Sequence, residues 1–241
     1  MNRRLKKALL ELTLPKPAEA RHSEYSMIFS ADDQPGVASR RLIDLSVEAI
    51  SLARDLKLDK LYERTRSEVD LINLWPGEQH RLLAALVQVI RPQRVVEIGT
   101  GAGGTTLSII AKLPEQATLT TFDVIAWQNA PEGVLRKEDF DSGRLKQHVD
   151  DVTVREGFDR YRNVFEEADF IVIDAAKDGS MEGRLIEMFR VFPFRQPPIF
   201  LFDDIRVWNM LRFWRDIPWP KLDLTSFGHW TGTGLAEWTP S

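Results

Sequence analysis

Cysteine is absent from the 241-residue chain, and its absence removes several kinds of chemistry. Without a thiol there is no disulfide, no thiolate nucleophile and no zinc site built on cysteine. The lack of cysteine also fits a reducing compartment, and we expect a cytoplasmic protein. The formal net charge is only −4, which gives no electrostatic reason to expect a nucleic-acid partner.

Long apolar runs are missing as well, because none approaches the roughly 20 residues that a helix needs to cross a bilayer. The basic start, MNRRLKKALLELTLPKP, lacks the apolar stretch and small-residue cleavage site of a signal peptide. We interpret it as an amphipathic helix or arm that ends at Pro15 and Pro17, followed by a linker as far as residue 36. These features predict no membrane partner.

What the sequence does contain is an alternation of strand and helix patterns after residue 90. Apolar spacing predicts earlier helices over about 39–56, 59–74 and 78–90. Predicted strands cover 94–98, 118–122, 145–149, 170–173 and 199–202, and predicted helices cover 105–113, 153–166, 181–191 and 206–216. Two last strands, 222–227 and 234–238, could form a hairpin, and 127–143 is a predicted loop or lid.

This alternation predicts an α/β fold with a mainly parallel sheet that helices cover on both faces. We divide the chain into an N-terminal helical cap, residues 1–74, and a core, residues 75–241, within one structural domain. In such sheets, ligands bind at the carboxyl ends of the strands. Acidic residues follow several of the predicted strands, so they should lie at that edge.

A glycine-rich turn follows the first predicted strand, in the segment VVEIGTGAGG. Gly99, Gly101 and Gly104 fit the pattern G-x-G-x-x-G, with a strand before it and a helix after it. Glycines let the backbone turn sharply and approach a ligand. Asp123 ends the next strand, where a carboxylate can accept hydrogen bonds from two ribose hydroxyls. The turn therefore predicts a nucleotide-like cofactor.

Two cofactors compete for this turn. A dinucleotide would place a pyrophosphate there, and the negative charge of Glu97 would be unhelpful. S-adenosylmethionine has no phosphate and carries an ammonium and a sulfonium, so the order E-x-G-x-G-x-G favours the methyl donor. Asp151, or Asp150 beside it, could receive the adenine amino group. In the alternative interpretation, the glycines only permit close packing and the acids cap helices.

A second group of acids follows two apolar runs. FIVID ends at Asp174, and IFLFDD ends at Asp203 and Asp204. If the two strands are parallel neighbours, about 4.8 Å apart, the three carboxylates can share one cation. Alternatively, an aspartate caps the next helix and Lys177 is a solvated surface charge. The four histidines have no metal-like spacing and are assigned to surface or packing roles, although His229 could touch a substrate.

The order of PGEQ, VEIGTGAGG, FD, IDAAKDG and LFDDI over residues 75–205 resembles a known family. It is similar to the metal-dependent, class I S-adenosylmethionine O-methyltransferases of the catechol O-methyltransferase type. The resemblance implies a Rossmann-like, doubly wound, seven-stranded sheet of order 3-2-1-4-5-7-6 with its last strand antiparallel. It also implies Lys177 as general base and a cation bound by Asp174, Asp203 and Asp204. The implied donor site comprises Glu97, Gly99, Gly101, Gly103, Thr105, Asp123, Asp151 and Asp174.

Asp204 stands where the catechol enzymes most often have asparagine. Asp-Asp pairs are familiar in sugar O-methyltransferases that resemble the macrocin and novobiocin pathway enzymes. We therefore expect metal-assisted O-methylation of a hydroxyl with a neighbouring oxygen, on a small molecule such as a natural-product phenol or sugar. Mg²⁺ suits oxygen ligands, but ligand type does not separate it from Mn²⁺ or Ca²⁺.

Three other functions stay open at this point. They are an NAD-dependent Rossmann oxidoreductase, a metal-independent methyltransferase of the same fold and a non-catalytic binding protein. A Tyr-x-x-x-Lys hydride-transfer motif is missing, which argues against the oxidoreductase. We also expect a homodimer or a higher homo-oligomer, with the N-terminal helices covering the acceptor or building the interface.

Overall fold

The computed structural model describes residues 37–65, 72–207 and 209–240. In this part of the chain the strands form one sheet of order β3-β2-β1-β4-β5-β7-β6. They are β1 (Arg94–Ile98), β2 (Thr118–Asp123), β3 (Leu145–Val149), β4 (Phe170–Ile173), β5 (Ile199–Asp203), β6 (Lys221–Asp223) and β7 (Thr233–Glu237). Strands β1 to β5 pair in parallel, whereas β7 is antiparallel to β5 and β6. The predicted Rossmann-like fold and strand order are confirmed.

Helices precede the sheet and connect its strands. They are α1 (Arg40–Asp55), α2 (Asp59–Tyr62), α3 (Gln79–Ile90), α4 (Gly104–Ile110), α5 (Arg155–Arg160), α6 (Arg162–Glu166), α7 (Ser180–Arg190) and α8 (Met210–Asp216). The predicted N-terminal arm and the linker to residue 36 lie outside the described residues. No helix in the described segments is long and apolar enough to span a bilayer.

Both faces of the sheet are buried, which explains the uninterrupted apolar strands. Val95, Val172 and Leu201 pack into one hydrophobic cluster with α1, α3 and α4. Val96 and Ile173 point to the opposite face, whose cluster is rich in phenylalanine and tryptophan. Because successive side chains of a strand alternate between faces, a sheet covered on both sides needs apolar residues at nearly every position.

Helix α1 lies on α3 and is fixed at its N-terminus. The Ser39 hydroxyl accepts a hydrogen bond from the N–H of Leu42 (3.1 Å) and donates one to the Glu237 carboxylate of β7 (2.6 Å). The predicted helix is confirmed. However, fewer of its apolar side chains are buried than their helical spacing suggested. Ile43 and Val47 are 44% and 63% exposed, although their spacing matches the apolar repeat.

Several predicted elements are shorter than expected. The helix predicted over 59–74 is helical only as α2, and residues 66–71 lie outside the described part. The helix predicted over 153–166 is divided into α5 and α6 at Tyr161, whose backbone leaves the helical region. The helix predicted from Arg206 begins at Met210, because the chain before it makes separate turns in which the N–H groups of Val207 and Met210 donate to carbonyls three residues back.

The predicted loop over 127–143 contains two short 3₁₀ turns, Trp127–Asn129 and Lys137–Asp139. The Trp127 and Phe140 rings stack with centroids 5.1 Å apart. The loop also lies against the glycine-rich turn, since the N–H of Val134 donates to the carbonyl of Ala102 (2.8 Å). It is therefore a packed cover at the edge of the turn.

Candidate active site

The predicted site residues come together at the carboxyl edge of the parallel strands. Strand β4 lies between β1 and β5 and pairs in parallel with both. Gly99 follows β1, Asp174 follows β4, and Asp203 ends β5. The sequence-based expectation that the two acidic strand ends are neighbours is confirmed.

Close packing against neighbouring atoms requires glycine at Gly99 and Gly103. Gly99 has φ +101°, and a Cβ there would lie 1.9 Å from the carbonyl oxygen of Asp174. Gly103 has φ +94°, and a Cβ there would lie 2.4 Å from Leu135 in the covering loop. Gly101 differs, because no heavy atom lies within 4 Å of a Cβ built there. The turn is closely packed at two positions and open at the one between them.

Two adjoining cavities lie on this turn. One has a volume of about 500 Å³ and is lined by the glycine-rich turn, His80, Thr105 and Lys177. The other, about 460 Å³, is lined by Asp123, Asp150, Asp151 and Met181. Gly99, Gly101 and Asp174 line both. Together they match the size of small-molecule and cofactor sites, and they meet at the predicted carboxylate.

The predicted ribose and adenine acids border the second cavity. Asp123 accepts hydrogen bonds from the N–H groups of Gly101 and Ile125, both at 2.9 Å, so its carboxylate is fixed beside the turn. Asp151 accepts from the N–H and hydroxyl of Thr153, at 2.9 and 2.6 Å. Asp150 instead pairs with Arg160. The bonds of Asp151 to Thr153 are those expected if the acid only caps the following turn. Asp151 nevertheless lines the cavity as well.

Glu97 is oriented differently from the other predicted cofactor residues. Its side chain is fully buried below the turn, and one carboxyl oxygen accepts a hydrogen bond from the Thr106 hydroxyl (2.6 Å). Burial raises the pKa of Glu97 to about 8. Glu97 does not line either cavity. The structure thus brings it under the turn without exposing it to the space that a donor would fill.

Lys177 lies among the three predicted metal ligands. Its Nζ is 3.1 Å from both Asp174 Oδ1 and Asp203 Oδ2, and it also pairs with Asp204. Burial opposes the charged form, but the neighbouring carboxylates of Asp174 and Asp203 raise the pKa of Lys177. The charged ammonium is therefore favoured at this position.

Asp174 is held by groups that the strand pattern alone could not identify. Its Oδ2 accepts a hydrogen bond from the Thr105 hydroxyl of α4 (2.9 Å), and the Gln79 amide of α3 lies 3.5 Å from the same oxygen. Thr105 was expected to contact the donor, and the structure shows that it also orients Asp174. The carboxylate is therefore positioned by the two helices that flank the glycine-rich turn.

His229 also belongs to this cluster, although the sequence assigned it only a surface or packing role or a contact with the substrate. Its Nδ1 lies 3.2 Å from both Asp203 Oδ1 and Asp204 Oδ1, and its Nε2 lies 3.6 Å from Glu78 Oε2. Burial disfavours the charged ring, but the hydrogen bonds to Asp203 and Asp204 raise the pKa of His229 to about 10. Twenty-five or more residues separate it from the acids in sequence. Spacing rules therefore gave no signal.

Burial and the nearby Asp174 charge raise the pKa of Asp203 to about 6. Asp204 behaves differently, because hydrogen bonds from His229 and Lys177 overcome its burial and lower its pKa. Among the described residues, Asp203, Asp204 and His229 form a group whose ligand atoms all lie within 4.8 Å of one another. Oxygen and imidazole donors so close together, with an ammonium already attracted to them, fit a divalent cation.

The backbone around the cluster is strained. Lys177 and Asp204 have φ values of +58° and +56°, which are uncommon for residues other than glycine. Glu182 stabilises the first of these, since its fully buried carboxylate accepts hydrogen bonds from the N–H groups of Lys177 (2.8 Å) and Gly179 (2.9 Å). Strained backbone held by its surroundings is typical of functional sites.

Comparisons with known proteins identify the family of the chain. A family model described as O-methyltransferase matches residues 48–191, which is more than half of the chain. The chain belongs to the O-methyltransferase family, and the predicted enzyme class is confirmed. No curated protein matches the chain.

Solved structures share the fold at low sequence identity. The O-methyltransferase TomG of Streptomyces achromogenes, in complex with SAM, has a TM-score of 0.52 and 17% identity over 81% of this chain and 96% of its own. The SAH-bound Podospora anserina methyltransferase PaMTH1 has a TM-score of 0.51 and 17% identity over 81% and 88%. A Bacillus cereus O-methyltransferase in complex with SAH has a TM-score of 0.51 and 13% identity over 98% and 97%. These likenesses concern the fold alone.

Proposed function

We propose that this O-methyltransferase transfers the methyl group of S-adenosylmethionine to a hydroxyl of a small molecule, with the help of a divalent cation. The observation that carries the proposal is the convergence of Asp174, Asp203 and Asp204 on Lys177 beside the glycine-rich turn. Family membership supports the methyl-transfer chemistry and argues against an NAD-dependent oxidoreductase.

The donor would occupy the two adjoining cavities. Asp123 borders the cavity where a ribose would lie, and Asp151 lies in the same lining. Structural relatives that hold SAM or SAH support this assignment. The open space at Gly101 leaves room for a donor chain over the turn. Asp174 lines both cavities, so its carboxylate can attract the ammonium or the sulfonium of the donor.

The cation would be held by Asp203 and Asp204, with Asp174 or His229 completing the protein ligands. A bound divalent cation would lower the pKa of a coordinated hydroxyl and fix its orientation toward the methyl group. Neighbouring oxygens on the acceptor could share one cation, which favours vicinal diols, catechols and hydroxy sugars. Three carboxylates surround the single ammonium of Lys177, so their negative charge exceeds its positive charge. A divalent cation would offset that excess.

Lys177 would accept the hydroxyl proton as general base. Its Nζ is placed by three carboxylates, and its backbone by Glu182. A second positive charge at the carboxylates would weaken their hold on the ammonium proton and so favour the neutral amine. With the hydroxyl deprotonated, in-line transfer depends mainly on proximity and alignment of the two substrates.

A metal-independent methyltransferase is the second candidate. The pairing of Lys177 with the three aspartates favours this candidate, because the lysine neutralises part of the carboxylates' negative charge without a cation. The two candidates make opposite predictions about chelators. They share the donor site and the fold.

Methyl transfer from radiolabelled S-adenosylmethionine tests the proposal. The acceptors are a panel of catechols and vicinal-diol sugars, with wild-type protein treated with EDTA and then supplied with Mg²⁺ or Mn²⁺. We expect transfer only after the cation is restored, and no transfer by Asp203→Asn. Transfer at an unchanged rate in EDTA would support the metal-independent enzyme.

The remaining expectations extend the proposal to the whole chain. We infer a small-molecule acceptor, a homodimer or a higher homo-oligomer, and a cytoplasmic enzyme without a nucleic-acid or membrane partner. We also keep the division into an N-terminal cap, residues 1–74, and a methyltransferase core, residues 75–241. In the described part of that cap, α1 lies on α3. Sedimentation of the full-length chain would test the oligomeric state.

A further inference from the structure

We propose that His229 is a direct ligand of the divalent cation, so that this site prefers a transition metal such as Mn²⁺ over Mg²⁺. The inference rests on the metal-assisted function proposed above and makes it more specific. The resemblance by sequence implied three aspartates and no imidazole. The geometry points to a ligand set of mixed oxygen and nitrogen.

The spacing of the donor atoms supports ligation. His229 Nδ1 lies 3.2 Å from Asp203 Oδ1 and the same distance from Asp204 Oδ1. Two atoms that bind one cation at about 2.1 Å and at right angles lie about 3.0 Å apart. In a tetrahedral shell at about 2.0 Å they lie about 3.3 Å apart. The two observed N···O separations fall between these values, and the ligand atoms of the three residues all lie within 4.8 Å of one another, so they are close enough to share one cation.

The imidazole is also placed as a metal ligand would be, provided that the cation displaces the Nδ1 proton now shared with Asp203 and Asp204. Its other nitrogen, Nε2, lies 3.6 Å from the buried Glu78 carboxylate. Metal-bound histidines usually present their second ring nitrogen to a carboxylate or a carbonyl, which fixes the ring and its tautomer. Glu78 precedes α3 and is separate in sequence from the aspartates. At 3.6 Å the contact is longer than a hydrogen bond, so Glu78 attracts this side of the ring electrostatically while Nδ1 faces the two aspartates.

Hydrogen bonds fix the backbone of the loop between β6 and β7 on both sides of His229. The N–H of His229 donates to the Thr233 hydroxyl at the start of β7 (2.8 Å), and Trp230 donates to the carbonyl of Gly77 (3.2 Å). The Thr231 hydroxyl lies 2.9 Å from Nδ1 and also bonds to Asp204. These bonds fix the main chain on both sides of His229, and the Thr231 hydroxyl contacts the ring itself.

Asp174 lies outside the proposed group of metal ligands. Its two oxygens are directed to Lys177 Nζ and to the Thr105 hydroxyl. The group of mutually close ligand atoms found in the described residues contains His229 and not Asp174. Imidazole is a poor ligand for Mg²⁺ and Ca²⁺ and a good one for the first-row transition metals. An imidazole ligand therefore favours first-row transition metals as a class, and Mn²⁺ over Mg²⁺ when these two ions compete.

Pulsed electron paramagnetic resonance of Mn²⁺ bound to the full-length protein tests the proposal without an acceptor. Protein labelled with [¹⁵N]histidine should show a hyperfine coupling from a directly bound ¹⁵N. The coupling should be lost in His229→Gln. It should persist in His148→Gln, the matched control, because His148 stacks on Phe122 away from the acidic cluster.

Affinity measurements give a second readout. In His229→Gln the Kd for Mn²⁺ should rise about tenfold or more, whereas the Kd for Mg²⁺ should change less than about threefold. Mn²⁺ that binds to the wild type without nitrogen coupling would overturn the histidine ligand and leave metal assistance intact. Failure of both wild-type protein and His148→Gln to bind Mn²⁺ or Mg²⁺ would overturn metal assistance as well.

Discussion

The buried carboxylate of Glu182 accepts a hydrogen bond from the backbone N–H of Lys177, at 2.8 Å, and so holds the proposed base from behind. Its second oxygen accepts from the N–H of Gly179 at 2.9 Å. Lys177 and Gly179 both have positive φ, +58° and +74°. Glu182 thus compensates for a backbone conformation that lysine rarely adopts, and we propose that it acts in catalysis by positioning Lys177.

Replacing Glu182 with glutamine should lower kcat about tenfold and change the KM for S-adenosylmethionine by less than about twofold. The amide can accept from one N–H but presents its own N–H₂ to the other, so Lys177 loses its fixed geometry. Steady-state kinetics would show this split. Glu187→Gln, an exposed position on the same helix, is the control and should match the wild type. Equal losses in both variants would contradict the positioning role.

Lys177 itself can be tested with two substitutions that separate a base from a counter-ion. Lys177→Met removes both the charge and the base, and Lys177→Arg keeps the charge but does not release its proton. We expect both to lower kcat by about 10²- to 10⁴-fold. The unfolding temperature without metal should be lower for the methionine variant alone, since only it removes the lysine's positive charge from among the three carboxylates. Near-normal turnover by Lys177→Arg would mean that Lys177 acts only through its charge.

The glycine-rich turn predicts opposite outcomes for two alanine substitutions. Gly99→Ala would place a Cβ 1.9 Å from the Asp174 carbonyl, so we expect loss of soluble protein or strong destabilisation. Gly101→Ala meets no heavy atom within 4 Å and has only an unfavourable φ of +50°, with a cost of about 1–2 kcal/mol. It should fold but bind the donor more weakly. Chemical unfolding and donor calorimetry distinguish the two, and equal stability would contradict this packing.

Glu97 should make stability depend on pH. Burial raises its pKa from 4.5 to about 8. Between these values the folded state keeps a proton that the unfolded state has released, so the free energy of unfolding falls as pH rises. Glu97→Gln carries no such proton.

The stability of Glu97→Gln relative to the wild type should therefore increase from pH 5 to pH 8, by on the order of 3 kcal/mol. Urea unfolding at several pH values, without donor or metal, measures the difference. The control is Glu115→Gln, an exposed position, which should show a constant difference. A constant difference for Glu97→Gln would mean that the carboxyl is ionised in the folded protein.

The sequence predicted the fold and the site best where a residue pattern is compatible with few structures. The apolar runs before Asp174 and Asp203 predicted neighbouring buried strands, and the pairing of β4 with β5 confirms this. It was less informative about contacts between distant segments. His229 and Glu182 have ordinary neighbours in the chain, and their roles depend on how a loop and a helix return to the sheet edge. The predicted start of α8 was wrong because the N–H groups of Val207 and Met210 donate to carbonyls three residues back, in separate turns and not in a continuous helix.

A crystal structure with Mn²⁺ and S-adenosylhomocysteine, using anomalous scattering to locate the metal, tests the central claim most directly. The claim is that donor and cation meet at the carboxyl ends of β1, β4 and β5. We predict an anomalous peak at about 2.1–2.3 Å from oxygens of Asp203 and Asp204, with the donor product between Asp123 and Asp174. A cation bound elsewhere, or a donor product away from the glycine-rich turn, would contradict the account.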